Sequence, residues 1–370
     1  MAITASMVKE LREMTGAGMM DCKKALAETD GDMNKAVDYL KEKGLAKAAK
    51  KAGRIAAEGI VATNVSEDGK VASIVEVNSE TDFVAKNDVF KGYVANVAAQ
   101  AATTNAATIE EFLDEAWALD TAKTVKEELA SQIAVIGENM NIRRFAKVTT
   151  DGLVVSYIHA GGKIGVLVEA DTDSNADEVK ECLRNVAMQV AALNPEYTSR
   201  NEISEEELDK LRKTTIESAL NDPFTLPMPI LKGLLEKAIS DKVWSDEDIA
   251  IYEEKKDNMK YLPNFLSEAA KVALAGLAVA DKATIETNKI FTGLVDGRVA
   301  KQLKEIVLLD QTYVKAEDGK QSVAQYVESV AKAAGTSISI KKYVRFETGE
   351  GLEKKEEDFA AEVAKQMAGN

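Results

Sequence analysis

The sequence predicts an α+β fold with an N-terminal three-helix bundle, a duplicated ββα core with two small antiparallel sheets, a helical insertion and a C-terminal helix. Three observations support this prediction. Apolar residues recur at helical spacing near the N-terminus, a strand–turn–strand pattern occurs twice in the first half of the chain, and helical spacing dominates residues 200–300. Two hairpins that each have an apolar sheet face to cover favour a core that is built twice.

The N-terminal segment contains three short helical patterns. Thr4 can cap a first helix, and Gly16 is placed to end it. Asp21 opens a second helix, and a third is predicted to run from Asp32 until Gly44 closes it. The lysine- and alanine-rich stretch that follows is predicted to lead out of the bundle as a linker.

The region after the bundle contains an internal duplication. Residues 59–78 align without gaps to residues 152–171, and six of the twenty positions are identical. The identities include the Gly69-Lys70 and Gly162-Lys163 turns, so each copy is predicted to form a β-hairpin. A helical pattern follows each copy, and residues 110–136 between the copies also have helical spacing.

The second half of the chain is mainly helical in pattern. Ser204 and Glu207 form a predicted capping box that opens a helix, and Pro223 ends it. Strand-like runs at 306–314 and 337–346 are expected to join the second sheet. The predicted division of the chain is 1–54 for the bundle and linker, 55–147 for the first core subdomain, 148–199 plus 301–350 for the second, 200–300 for a coiled-coil-like insertion and 351–370 for a C-terminal helical module.

Composition excludes several classes of protein. The chain has 47 basic and 62 acidic residues and a net charge of −15, which opposes direct binding to nucleic-acid phosphates. Its single histidine, His159, rules out a multi-histidine metal site, and no GxxxxGK[ST] loop is present to hold a nucleotide. Cys22 and Cys182 form no CxxC motif and fit buried thiols in a reducing compartment. We therefore expect a cytoplasmic protein without cofactor, metal or membrane association.

The most informative candidate site is the segment Thr81-Asp82-Phe83-Val84, where the first hairpin leads into a helix. In one interpretation Thr81 or Asp82 caps that helix and Phe83 packs into the local core. In the other, an exposed Asp82–Phe83 pair binds a partner, with the ring in a pocket and the carboxylate fixing its orientation. The residues by themselves favour the first interpretation.

Two further positions are candidate partner contacts. Met19 and Met20 follow a glycine-rich turn, and two adjacent methionines cannot both face inward from it. At least one is expected at the surface, where methionine suits an adaptable interface. His159 lies near the turn of the second hairpin, opposite Ser66 in the first copy, and a solvated histidine is the default interpretation there.

Four motifs, in order along the chain, resemble the bacterial elongation factor Ts family. They are Val8–Leu26, Glu76–Lys86, Gly137–Arg144 and Arg345–Leu352. The likeness covers both ends and most of the middle, whereas Asn221–Asn288 matches poorly and looks longer than in typical members. The resemblance implies a ubiquitin-associated-like N-terminal module, a two-part core, a helical protrusion and a C-terminal helical module.

The resemblance also implies a function: guanine-nucleotide exchange on elongation factor Tu, bound in its GDP-loaded and nucleotide-free forms, without covalent chemistry. By the same resemblance, the segment from Thr81 to Val84 enters the GTPase and dislodges its magnesium, and His159 presses near the phosphate-binding loop. Met19 and Met20 would contact a helix of the GTPase, and the final helix, around Phe359 and Val363, would make a further contact.

Two alternatives stay open at this stage. One is a protein-binding scaffold that acts through the N-terminal bundle and leaves the bound nucleotide unaffected. The other is an enzyme that uses a carboxylate within residues 200–300, although leucine and alanine stripes there oppose a polar active site. A scaffold would lose nothing in Phe83→Ala, which separates it from an exchange factor. Self-association through the insertion also stays open.

Overall fold

The computed structural model describes residues 3–353 and confirms the predicted α+β class. The chain divides into two compact units. The described residues up to Asn194, together with those from Ala324 onward, form the first unit, and Pro195–Val323 form the second.

The strands are β1 (Glu58–Val65), β2 (Val71–Ser79), β3 (Ala116–Trp117), β4 (Asp120–Thr124), β5 (Met140–Thr149), β6 (Leu153–His159), β7 (Ile164–Asp171) and β8 (Ser339–Glu347). The α-helices are α1 (Ala5–Thr15), α2 (Met19–Glu28), α3 (Met33–Lys51), α4 (Asp82–Lys86), α5 (Asp88–Thr103), α6 (Ile109–Asp114), α7 (Val125–Ile136), α8 (Asp177–Leu193), α9 (Glu205–Asn221), α10 (Met228–Ser240), α11 (Asp246–Lys255), α12 (Glu268–Ala280), α13 (Lys282–Glu286), α14 (Lys289–Ile306) and α15 (Val323–Ala334). Short 3₁₀ helices lie at Arg200–Glu202, Pro223–Thr225, Lys256–Asn258, Leu262–Asn264 and Leu308–Asp310.

The first helix of the bundle has both caps that the sequence predicts, whereas the second helix begins earlier than predicted. The Thr4 hydroxyl accepts the Met7 N–H at the start of α1, and Gly16 ends this helix with a φ of 67°. α2 begins at Met19 rather than at Asp21, because the extended backbone of Gly18 already serves as its N-cap. Both methionines of this segment therefore lie in the first turn of α2.

The predicted end of α3 at Gly44 is wrong. The helix begins after the Asp32 cap, as expected, but it continues through Gly44 to Lys51. Gly44 faces α7, where a Cβ atom would lie 3.7 Å from the carbonyl oxygen of Ala130. Packing of α3 on α7 offsets the roughly 1 kcal/mol cost of glycine in a helix, so this glycine does not break the helix. The linker predicted after Gly44 is for the most part the last two turns of α3.

The duplicated hairpins are confirmed as β1–β2 and β6–β7, and each joins a third antiparallel strand. The sheet orders are β1-β2-β5 and β6-β7-β8. Both second strands have a register shift at the same place, after Glu76 in β2 and after Glu169 in β7. Arg144 lies opposite Glu76, and Lys342 lies opposite Glu169. The duplication therefore includes β5 and β8, of which the sequence predicted only β8, as a strand added to the second sheet.

The two sheets pack face to face with approximate two-fold equivalence. The Val61 N–H donates to the Gly162 carbonyl at 2.7 Å, and the equivalent Val154 N–H donates to the Gly69 carbonyl at 2.8 Å. The turn of each hairpin is thus bound to the first strand of the other. The buried side chains between the sheets are Val61, Ala72, Ile74, Val148, Val154, Leu167 and Phe346.

Helices cover the outer faces of both sheets. α5 packs on β1 and β2, and α8 packs on β6 and β7. Val89 at the start of α5 is exposed, whereas the other apolar residues of the two helical patterns are buried: Phe90, Tyr93, Val94 and Val97 in α5, and Val179, Leu183, Val186 and Val190 in α8. Residues 110–136 do not form one helical run, because the hairpin β3–β4 separates α6 from α7 and places Trp117 on a strand.

The second unit, Pro195–Val323, has a hydrophobic core of its own to which all six helices α9–α14 contribute. The predicted capping box of Ser204 and Glu207 opens α9, which ends before Pro223. The predicted strand at 306–314 is wrong. The run contains the 3₁₀ turn Leu308–Asp310 and two isolated β-bridges, Tyr197 with Val307 and Thr312 with Ser322, and it does not join the second sheet. The later run is confirmed as β8.

Candidate protein-binding surface

The segment Thr81–Val84 forms the start of the short helix α4. The Thr81 hydroxyl accepts the Val84 N–H at 3.4 Å and caps the helix, as predicted. Val84 and Ala85 are buried in the core beneath α5, whereas the Phe83 side chain points away and is 80% exposed. The expectation that Phe83 packs into the local core is therefore wrong. In a helix of five residues the inward positions are already taken by Val84 and Ala85.

Asp82 and Phe83 share one neighbour, Lys86, on the next turn of α4. The Lys86 ammonium lies 2.6 Å from an Asp82 carboxylate oxygen and 5.9 Å from the centroid of the Phe83 ring. The hydrogen bond from Lys86 lowers the pKa of Asp82, and the positive charge of Lys163 on the second hairpin acts in the same direction. The surface thus presents an ionised carboxylate next to an exposed aromatic ring.

The tip of the second hairpin lies beside the same strand, β1, that supports α4. Gly162 has a φ of 103°, and a Cβ atom there would lie 2.9 Å from the Cβ of Ile60. Lys163 forms an ion pair of 2.7 Å with Glu58 at the start of β1. His159 is exposed at the end of β6, and its Nδ1 lies 2.9 Å from the Tyr157 hydroxyl. Strand β1 therefore brings α4 and the hairpin that bears His159 to neighbouring positions.

The remaining candidate contacts lie elsewhere in the chain. Met19 and Met20 are 59% and 76% exposed, which confirms that at least one of them is at the surface. They belong to the bundle and not to α4 or the hairpin tip. Phe359 and Val363 lie outside the described residues, and so does most of the predicted C-terminal module.

Three buried titratable groups outside this surface, Cys22, Cys182 and Asp248, have structural surroundings. Burial raises the pKa of the Cys182 thiol to about 11 and also raises that of Cys22, so both are protonated at neutral pH. In the helical unit, burial opposes ionisation of Asp248, but hydrogen bonds from Ser245 and Ser267 hold its pKa below the ordinary value. That carboxylate links the caps of α11 and α12. Within residues 3–353, no cluster of three or more His, Cys, Asp or Glu side chains is arranged to hold a metal ion.

The elongation factor Ts family model matches residues 80–350, which include α4, strand β5 of the first sheet, the whole second sheet and the helical unit. The chain belongs to the elongation factor Ts family. It is similar to elongation factor Ts of Clostridioides difficile (strain 630), with 46% identity over 365 residues and 99% of each chain covered. Elongation factor Ts of Clostridium novyi (strain NT) is 44% identical over 366 residues and that of Clostridium perfringens (strain 13 / Type A) 46% over 364, with 99% and 98% of each chain covered.

Family membership places the chain among the translation elongation factors. These elongation factor Ts relatives align over almost their full length, so the long helical unit is shared with them and is not an addition peculiar to this chain. In the part of the chain that the structure describes, no helix is both long enough and apolar enough to cross a membrane.

Sequence reasoning missed the contact that holds the candidate segment in place. Thr81 is hydrogen-bonded to Glu138, which lies 57 residues further along the chain. In the sequence, Glu138 stands out only as part of the Gly137–Arg144 motif of the elongation factor Ts family. Membership of that motif does not indicate which residue the Glu138 side chain contacts.

Proposed function

We propose that this chain is a guanine-nucleotide exchange factor for elongation factor Tu, acting in the cytoplasm on its GDP-bound and nucleotide-free forms. The observation that carries the proposal is the exposed Phe83 ring, 80% accessible on a capped helix whose other face is buried. A large aromatic side chain held outward at such a position gains most by entering a pocket of a partner.

The proposed activity needs no covalent chemistry. An exchange factor binds the nucleotide-free GTPase more tightly than the loaded one, because only differential affinity shifts an equilibrium. By reciprocity the factor weakens GDP binding as much as GDP weakens binding of the factor, and each tenfold change corresponds to about 1.4 kcal/mol. Burial of one aromatic ring and a few ordered polar contacts are enough to supply several such steps.

Within this proposal the two exposed side chains of α4 have different roles. Phe83 is the wedge that enters the GTPase, and Asp82 disturbs the polar network around the magnesium ion, which otherwise screens the charge of the GDP phosphates. Asp82 suits this role because its carboxylate is held ionised beside Lys86. Thr81 and Val84 hold the short helix, one as its cap and the other as its buried anchor.

The other assigned residues extend the same interface. His159, at the tip of the second hairpin, would press near the phosphate-binding loop of the GTPase. Met19 and Met20 would contact one of its helices, and Phe359 and Val363 would add a contact from the C-terminal module. Support for these assignments comes from the exposure of His159, Met19 and Met20 and from the family resemblance.

The test is release of a fluorescent GDP from elongation factor Tu, followed by stopped flow with magnesium present. The wild type should accelerate GDP release strongly. The acceleration by Phe83→Ala should be smaller by a factor of about ten or more, and a factor of ten corresponds to ~1.4 kcal/mol. The matched control is Phe265→Ala in the helical unit, because Phe265 is also exposed and has a lysine, Lys255, 5.2 Å from its ring centroid.

Each outcome of this test decides between the candidates. Acceleration that is unchanged in Phe83→Ala would keep the exchange function but move its site, with His159 as the next position to vary. Binding to the GTPase without any acceleration of GDP release would overturn the exchange function and favour the scaffold. If Phe265→Ala lost as much acceleration of GDP release as Phe83→Ala, the effect would not be specific to Phe83, and the assignment of Phe83 as the wedge would be overturned.

A further inference from the structure

The turn between α7 and β5 contacts the residue that precedes the exposed pair of α4. Glu138 in this turn accepts two hydrogen bonds from Thr81: the backbone N–H donates to Oε2 at 3.0 Å, and the hydroxyl donates to Oε1 at 2.7 Å. Since each carboxylate oxygen has a donor of its own, both the backbone and the side chain of Thr81 are fixed. Hydrogen bonds to an ionised acceptor are stronger than neutral ones.

This contact also orients the cap of α4. A threonine hydroxyl has one proton and two lone pairs, and here the proton is directed at Glu138. The lone pairs are left to accept the Val84 N–H at 3.4 Å. Glu138 therefore determines which way the hydroxyl points, and with it the geometry of the first turn that carries Asp82 and Phe83.

A second set of contacts joins the same two segments. The Asn139 N–H donates to the Glu80 carboxylate, and the Asn139 side-chain amide donates to the Arg54 carbonyl at 2.8 Å. Arg54 in turn lies 3.5 Å from Glu80. One hydrogen-bonded junction thus joins the end of the bundle, the turn at Glu138 and the segment before α4. Within it, Glu138 is the side chain that accepts hydrogen bonds from Thr81.

The exposed ring of Phe83 has little else to fix its direction. It is 80% accessible, and the charged group near its face, Lys86, belongs to the same short helix. A five-residue helix is far below the length that is stable by itself in water, so α4 depends on its buried residues and on its cap. The direction of the ring therefore follows from the backbone that Thr81 anchors.

We propose that Glu138 is a positioning residue for nucleotide exchange: by holding Thr81, it orders Asp82 and Phe83 before they meet the GTPase. This inference rests on the proposed function of Phe83. A side chain that is ordered in advance loses less conformational entropy on binding, so removal of Glu138 weakens exchange without removing a partner contact. Glu138 thus acts through Asp82 and Phe83 and does not itself contact the GTPase.

The experiment measures the maximal rate of GDP release and the half-saturating factor concentration for Glu138→Ala, Glu138→Gln and a control. Glu138→Ala should lower the maximal rate divided by the half-saturating concentration by about tenfold. Glu138→Gln should recover most of the loss, because its amide oxygen and amide nitrogen can still serve the Thr81 N–H and hydroxyl. The control is Glu207→Ala, which removes a carboxylate that accepts from both the N–H and the hydroxyl of the capping residue Ser204 in the helical unit, and it should leave GDP release unchanged.

A double-mutant cycle on GDP release distinguishes a positioning role of Glu138 from a merely structural one. In a background that combines Asp82→Ala with Phe83→Ala, Glu138→Ala should change GDP release by less than about twofold, because both side chains that it orders are gone. If the two losses multiply instead, Glu138 acts through a contact of its own and the proposal is overturned. A Phe83→Ala variant with normal exchange would refute the proposed function itself, whatever Glu138→Ala does.

Two further outcomes concern Glu138 alone. Impaired Phe83→Ala together with normal Glu138→Ala would leave the proposed function intact and overturn the positioning role. If Glu138→Ala does not unfold cooperatively, Glu138→Asp replaces it, since the shorter side chain keeps the charge and withdraws the oxygens from Thr81. A folded Glu138→Asp with wild-type exchange would then overturn the proposal, and a tenfold loss would support it.

Discussion

Glu76 and Glu169 occupy equivalent positions in the two hairpins, yet their surroundings differ. Glu76 is fully buried and accepts hydrogen bonds from Arg143 and Arg144 of β5 and from the Gly349 N–H beyond β8. Glu169 faces lysines of β8 at longer distances. A planar guanidinium holds its N–H donors in a fixed fork that matches the two oxygens of a carboxylate, whereas a lysine ammonium is a point charge on a flexible chain. Glu76 therefore joins the first sheet to the end of the second.

The first prediction concerns Glu76→Gln, which removes the charge from this buried site. The free energy of unfolding at pH 7 should fall by about 2 kcal/mol, because two arginines lose their carboxylate. Burial opposes ionisation of Glu76, but the Gly349 N–H, the Asn78 amide and the arginines hold its pKa below the ordinary 4.5. Its stabilisation is thus present above pH 4.5 and is lost as the pH falls through the lower pKa of the folded state.

Urea denaturation at a series of pH values checks this prediction. The difference between wild type and Glu76→Gln should narrow below pH 4.5, the ordinary glutamate pKa. Glu110→Gln, at an exposed position, serves as the control and should follow the wild type throughout. Equal stability of Glu76→Gln and wild type at pH 7 would contradict the assigned role of the buried carboxylate.

At the scale of elements, the close approach of the two sheets depends on a glycine in β7. A Cβ atom at Gly165 would collide with a methyl group of Val61 in β1 and would lie 3.2 Å from methyl groups of Ile158 and Ile74. The glycine of α3, Gly44, is in a different situation, since an added Cβ would meet its neighbours at ordinary van der Waals distance. The same substitution should therefore have opposite effects at the two positions.

The second prediction compares Gly165→Ala with Gly44→Ala. Gly165→Ala should lower the free energy of unfolding by about 1–3 kcal/mol, because the added methyl overpacks the contact between the sheets. Gly44→Ala should raise it by ~0.5–1 kcal/mol, because alanine is the better helix former and finds room against α7. Denaturant titration measures both changes. A destabilising Gly44→Ala would show that α3 and α7 lie closer than described.

At the scale of the whole molecule, the chain contains two units that each have a core of their own. The second unit, Pro195–Val323, buries leucines from several helices together with Trp244. Both of its ends are bonded to the segment 308–311, since the Tyr197 carbonyl accepts the Leu308 N–H at 2.8 Å and the Val323 N–H donates to the Gln311 carbonyl at 3.0 Å. A segment with its own core and paired ends meets the requirements of an independently folding domain.

The third prediction is that residues 195–323 fold when expressed alone. The fragment should unfold cooperatively in urea and be largely helical by circular dichroism. Trp244 reports the core, because it is buried and its indole N–H donates to the Ala270 carbonyl at 2.9 Å. Its fluorescence should therefore be blue-shifted and should change in the same transition. A non-cooperative transition, or an emission typical of exposed tryptophan, would contradict the prediction.

Features that depend on neighbours in the chain were predictable from the sequence. The caps at Thr4, Asp32 and Ser204 bind N–H groups within three residues, and the hairpin turns at Gly69 and Gly162 join adjacent strands. Each requires a particular residue type at a short spacing, which a sequence displays directly. The candidate segment was found for the same reason, because it connects a hairpin to a capped helix.

What only the tertiary structure decided depends on segments that are distant in the chain. Gly44 stays helical because α7 packs against it, and the run at 306–314 forms only isolated bridges, with Tyr197 and Ser322, instead of a strand of the second sheet. Phe83 is exposed because Val84 and Ala85 already fill the space below α4. An apolar residue in a pattern shows that it can be buried, but packing determines whether a partner is there to bury it.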